Sequence, residues 1–203
     1  MRIDNTMLED IWFTADNHFG HENIIQYCKR PFESVDVMDK ALIDNWNKVI
    51  KPGDTVYHLG DFTLGDWKQA EFYFKQLNGQ IKILSNPWHH DKRWLKKLKD
   101  FPEDAYVNRL NNITESFELL PPMTVLEIEN MGASEYPLAI TLCHYPLAVW
   151  DRKHYGAWHL HGHTHKRNYS VYEFVLNVGV DCMNYYPISL GGVLQCMYEK
   201  GHV

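Results

Sequence analysis

The chain has 203 residues, 45% of them hydrophobic and 23% charged, with a formal net charge of −6. That composition is globular and of a size for one substantial core, so a single domain over residues 1–203 is expected. The acidic balance argues against general affinity for a nucleic-acid backbone, although a locally positive metal site can still draw in a phosphate.

Four cysteines, Cys28, Cys143, Cys182 and Cys196, stand far apart with no paired spacing, which predicts reduced thiols and a cytoplasmic setting. The opening MRIDNTMLEDIWF carries acids where a secretory signal has its apolar core, and no run reaches bilayer-spanning length. No membrane role is expected. The unusual feature of the composition is the histidine content, and where the histidines fall matters more than how many there are.

Taken in chain order, Ile11-Trp12-Phe13-Thr14-Ala15 predicts a buried strand running into Asp16-Asn17-His18-Phe19-Gly20-His21. Over 34–50, Val35, Met38, Leu42, Trp46 and Val49 recur at helical spacing, with Ser34 as N-cap and Pro52-Gly53 as the stop. Thr55 to Leu59 predicts a second strand ending in Gly60-Asp61-Phe62, then a helix over 67–77 and a break at Asn78-Gly79. A third strand over 80–85 leads into Leu84-Ser85-Asn86-Pro87-Trp88-His89-His90-Asp91. Further strands are predicted over 122–129 and 137–143, with a loop at Asn130-Met131-Gly132 able to close a hairpin. Trp158-His159-Leu160 precedes Gly162-His163-Thr164-His165, and 174–180 reads as a last strand. Strands alternating with helices indicate an α/β fold with crossover connections.

Polar residues follow these apolar runs one after another: Asp16 and His18, Asp61, His89-His90-Asp91, His144, then His163 and His165. In layered α/β folds, loops beyond strand C-termini converge on one crevice. Carboxylate and imidazole together are ligands for borderline divalent ions such as manganese, iron or zinc. D-x-H and H-x-H spacings let alternate side chains of an extended segment point the same way. A lone His18 or His144 is more simply a hydrogen-bonded structural histidine, but five such loops in one chain favour metal.

The ordered set Asp16-Asn17-His18, Gly60-Asp61, the SNPWHHD loop, His144 and Gly162-His163-Thr164-His165 resembles the calcineurin-like metallophosphoesterase family. The phrases FTADNHFGHENII, DTVYHLGDF and LHGHTH resemble its small single-domain bacterial and phage branch. The resemblance implies a four-layer α/β/β/α sandwich with mixed sheets. It implies two divalent ions, manganese favoured over iron, zinc, nickel or cobalt, with Asp16, His18 and His165 on one, His144 and His163 on the other, and Asp61 bridging. The family's asparagine ligand has no obvious counterpart. One alignment puts His89 in its place, and the rival keeps Asn86 and treats Pro87-Trp88-His89 as an insertion; the first is preferred because it keeps ligand, acid and partner consecutive. Trp88 then replaces a glycine, and its indole must swing outward.

The resemblance further implies hydrolysis of phosphate mono- or diesters, nucleotide-derived substrates included, by a hydroxide bridging ions roughly 3.5–4 Å apart. His90 would serve the phosphoryl or leaving oxygen, with Asp91 holding its ring. For His21 and Asn23 a helix-capping role is preferred to substrate contact, and for Arg30 a surface charge to a phosphate clamp. The basic run 91–99 is expected to be the solvated side of a helix whose face is Trp94, Leu95 and Leu98. Competing readings are a non-catalytic interaction scaffold on the same fold and a nuclease, the latter disfavoured by the acidic charge. Substrate choice would rest on loops such as 103–122 and 151–156.

Overall fold

A computed structural model describes residues 2–3, 8–86, 88–99, 117–129, 136–166 and 174–199. It is an α/β structure built on two mixed five-stranded sheets. The first has the order β10-β2-β3-β4-β5, with β2 (Ile11–Thr14), β3 (Thr55–His58), β4 (Gln80–Leu84) and β5 (Phe117–Leu120) parallel and β10 (Ile188–Ser189) antiparallel on β2. The second has the order β1-β6-β7-β8-β9. Here β1 (Arg2–Ile3) runs parallel to β6 (Met123–Ile128), β6 antiparallel to β7 (Leu138–Cys143), and β8 (Trp158–His161) and β9 (Val175–Asn177) parallel to β7. The antiparallel β6 and β7 are the predicted pair, although the Asn130-Met131-Gly132 loop and 101–116 lie outside the described residues.

Helices α1 (Glu22–Cys28), α2 (Val35–Val49), α3 (Trp67–Phe74) and α4 (Lys92–Lys99) lie along the first half of the chain, and α5 (Leu190–Glu199) near its end. The Ser34 hydroxyl accepts from Val37 N at 3.3 Å, as its N-cap position predicts. The α2 residues Met38, Leu42 and Trp46 and the α3 residues Trp67, Ala70 and Phe74 share one core with Val56, Ile81 and Ile83 of the first sheet. A second core joins Phe13, Tyr57 and Leu84 of that sheet to Leu126, Ile140, Leu142, Leu160 and Leu176 of the other, and takes in Leu190, Val193 and Met197 from α5. Alternation along a strand assigns the faces: Ile140 and Leu142 enter that shared core, while Ala139 packs on the opposite side with Trp150, Ala157 and Val175. Among the described residues no helix is long and apolar enough to cross a membrane.

This arrangement gathers the C-terminal ends of β2, β3, β4, β7, β8 and β9. Beyond β2 the pairing with β3 continues irregularly through Asp16 N to Gly60 O, His18 N to Asp61 O and Phe19 N to Phe62 O, at 2.9–3.0 Å. An isolated bridge between Ala15 and Gly179 ties the first sheet to the end of β9, and Gly162 N donates to His144 O across β8 and β7.

Candidate metal centre

The loops at these strand ends bring the predicted residues together. Ligand atoms of Asp16, His18 and His165 lie within 4.8 Å of one another, as do those of Asp61, His144 and His163. Asp61 also groups with His89 and Asp91, and with His18 and His90. Its Oδ2 is 3.5 Å from His18 Nε2 and 3.5 Å from His144 Nε2, and its Oδ1 is 3.7 Å from His89 Nδ1. Asp61 is therefore the centre on which both halves meet.

The backbone is bent to make this possible. Asp16 (φ 59°), His18 (53°), Asp61 (57°), His163 (69°) and His165 (50°) all take the left-handed conformation without being glycine. Each costs about 1 kcal/mol, on the order of 5 kcal/mol together, and strain of this kind collects at functional sites. The neighbouring motif glycines serve close approach. A Cβ on Gly60, itself at φ 111°, would stand 2.9 Å from the His89 ring, and one on Gly162 would stand 2.6 Å from Asp16 Oδ2.

Hydrogen bonds fix which nitrogen of each ring faces inward. His144 Nδ1 donates to Leu59 O at 3.1 Å, so its lone pair lies on Nε2, beside the Asp61 carboxylate. His165 Nδ1 is bonded to Asp181 Oδ2 at 2.8 Å, leaving Nε2 for the Asp16 group. Both ring nitrogens of His18 and of His89, and Nε2 of His144, are buried with no hydrogen-bond partner. Native proteins rarely leave so many buried polar atoms unmatched.

The charges are equally unmatched. Burial pushes Asp16 up to about 7, with Asp61 and Asp181 adding to it against the opposing pull of His165 and the His163 N–H. Burial and then Asp91 raise Asp61. Burial, then the positive His165 and Arg30, hold His18 well below the usual imidazole range, and burial with His89 and His163 takes His144 down to about 3. His165 runs the other way: burial would lower it, but the bond to Asp181, a contact with Cys28 and the Asp16 charge push it up to about 10. Asp16 and Asp61 thus resist ionising beside a His18 and a His144 that resist protonating, and the donor set of nitrogen and carboxylate oxygen suits divalent ions.

Several expectations are corrected. Asp91 does not hold His90. Its fully buried carboxylate accepts from Phe62 N and Thr63 N at 3.0 Å and Trp94 Nε1 at 2.7 Å, and lies 3.4 Å from His89 Nδ1. Consecutive residues of a turn point apart, so Asp91 braces the Asp61-Phe62-Thr63 loop next to the buried His89, while the half-exposed His90 lies with Nε2 4.0 Å from Asp61 Oδ2. Arg30 is neither surface charge nor phosphate clamp. It is buried, grips Asp181 through Nε and Nη2 at 2.8 Å, and donates to the carbonyls of Asp16 and Asn17. His21 stands at the N-cap of α1 but makes no side-chain cap bond.

Of the two rival ligands in the SNPWHHD loop, His89 enters the cluster, whereas Asn86 turns its Oδ1 to Trp88 N at 2.9 Å. Trp88 swings outward, 84% exposed. Lys92, Arg93, Lys96 and Lys97 are solvated, with Trp94 and Leu95 inward. Asp181 was not assigned from sequence, although it follows the apolar run 174–180 just as the other site residues follow theirs. The buried pair His58 Nε2 and Asn17 Oδ1, 2.9 Å apart, carries no signal in the local sequence pattern; the other His58 nitrogen accepts from Gly60 N, which sets the turn into Asp61.

No family model matches the chain. It is 33% identical over 204 residues to the uncharacterized protein MJ1445 of Methanocaldococcus jannaschii, an alignment that covers 97% of this chain and 95% of that one. The chain belongs to the same family as MJ1445. It is also 25% identical over 195 residues to the Gene 66 protein of Mycobacterium phage L5, covering 86% and 87% of the two chains. The crystal structure of AQ665 from Aquifex aeolicus, a protein of unknown function, superposes with a TM-score of 0.63 over 92% of this chain and 98% of that one, at 24% identity. That likeness carries the α/β fold.

Proposed function

We propose that the protein is a dinuclear metal-dependent phosphoric ester hydrolase of the calcineurin-like type. The carrying observation is the set of unpartnered buried nitrogens on His18, His89 and His144 around the Asp61 carboxylate. In this reading Asp16, His18 and His165 hold one divalent ion, His89, His144 and His163 hold a second, and Asp61 contacts both. Manganese suits the mixed nitrogen and oxygen donors, as do iron, zinc, nickel and cobalt. Bound there, such ions supply Lewis acidity for phosphoryl oxygens and a water acidic enough to attack near neutral pH.

The chain's own residues do the rest. His90, half exposed beside Asp61, is set to donate to a phosphoryl oxygen or to protonate the leaving oxygen. Its backbone N–H donates to Asp61 Oδ1 at 3.0 Å, which ties the acid's backbone to the shared ligand. Asp181 orients His165 and is itself fixed by Arg30, which also ties down the backbone of the first D-x-H segment. The four-layer sandwich is part of the same reading: α1 to α4 cover the first sheet, and the segment with Trp150 and the Lys153–Tyr155 turn flanks the outer face of the second. A reducing compartment suits the four cysteines, none of which forms a disulfide among the described residues.

The test is a panel of phosphate mono- and diesters assayed with manganese, nickel or zinc and with a chelator. Turnover is expected with metal, none in chelator, and recovery on adding manganese back. An absence of turnover across every ester and metal would overturn the reading.

A further inference from the structure

We propose that His21 is a substrate-contacting residue, forming with the half-exposed His90 a pair of imidazoles that receives the phosphoryl group beside the metal centre. The proposal rests on the phosphoesterase reading above. The His21 ring lies 5.6 Å from that of His18 and 6.2 Å from that of His90, centroid to centroid. Its Nδ1 is buried without a partner, yet among the described residues it falls in none of the groups close enough to share an ion. It is near the cluster and outside its ligand set.

Helix capping does not explain the residue. His21 occupies the N-cap of α1 with its side chain making no cap bond, at a position where serine, threonine, aspartate or asparagine is the stabilising choice. The fold nevertheless holds this position firmly. The buried Asp39 carboxylate accepts from Gly20 N at 3.1 and 3.0 Å and from the Tyr73 hydroxyl at 2.6 Å, while His21 N donates to His18 O at 3.0 Å. A buried acid is thus committed to fixing the backbone just before His21, and the ring is held among those of His18, His90 and Tyr27, the last 6.3 Å away. A phosphoryl group offers more acceptor sites than ions and one imidazole can fill, and a second N–H donor on the same side finds a partner there.

His21→Asn and His21→Ala separate this role from a structural one, because asparagine is a better N-cap than histidine. In the metal-loaded protein both substitutions should raise the KM for phosphoesters, and weaken binding of inorganic phosphate measured by calorimetry, by about tenfold or more. Metal content should stay at the wild-type value, and the melting temperature of His21→Asn should be equal or higher. Phosphate affinity within about twofold of wild type, a difference of less than half a decade, would overturn the proposal. So would loss of metal or a fall in melting temperature in His21→Asn, since either makes the residue a support for the fold or the ligands. Wild-type protein that binds phosphate but hydrolyses no ester would sink the phosphoesterase reading alone, with the phosphate affinities still deciding His21.

Discussion

Asp61→Asn should lower phosphoester turnover by about 1000-fold or more, equivalent to roughly 4 kcal/mol in the barrier. Asp61 is the residue on which the groups around His18, His89, His90 and His144 all meet. An amide keeps the shape and one acceptor oxygen, so the bond from His90 N to Asp61 Oδ1 can survive. What it removes is the negative charge that the proposed ions share. Side-chain geometry is then nearly constant while affinity for the ions falls, and steady-state assays at one manganese concentration that saturates the wild type read the difference. Turnover within about tenfold of wild type would mean that the carboxylate does not hold the reacting centre together.

Asp16→Asn is expected to act on stability, with a sign that depends on pH and on metal. Burial pushes the Asp16 carboxyl up to about 7, well above the ordinary carboxylate range. A group whose folded value is raised contributes its stability fully below the unfolded value and loses it as pH rises through the folded one. Wild type should therefore lose, relative to the variant, on the order of 4 kcal/mol between about pH 4 and pH 7. The depressed imidazoles work in the opposite direction, but they are present in both proteins and largely cancel in the difference. The amide oxygen can retain one bond from His163 N, which the carboxylate accepts at 2.8 Å. Urea melts in chelator at the two ends of that window should show the variant gaining on wild type as pH rises. Adding manganese should reverse the order, because the carboxylate that destabilises the empty nest is a ligand in the filled one. A stability difference that is flat in pH and indifferent to metal would contradict the assignment.

The fold was legible where periodicity and punctuation agreed. The α2 stripe with Ser34 before it and the short apolar runs ending in Asp16 and Asp61 gave their elements nearly to the residue. The two-residue strands β1 and β10 have too little pattern to read, and β5, Phe117–Leu120, is paired by its neighbour β4 more than by its own sequence. The helix Leu190–Glu199 begins Leu-Gly-Gly, a poor helical signal that burial of Leu190, Val193 and Met197 overrides.

The ligand types were legible because each followed a strand-like run, but their partners were not. Spacing put Asp91 beside His90, and only three-dimensional packing shows its carboxylate turned into the loop of Phe62 and Thr63. Arg30 and Asp181 are 151 positions apart, a pairing no local pattern encodes. His21 looked like a helix cap because it precedes a helix. The missing cap bond emerges only from the direction of its ring.

The nest around Asp61 is proposed to take two divalent ions. This is tested most directly by stripping the protein with chelator, titrating manganese back, and counting bound ions per chain alongside Asp61→Asn. Two ions are expected on the wild type, with the variant losing at least one. Wild-type protein that takes up no ion, or an Asp61→Asn variant that binds as many as wild type, would contradict it.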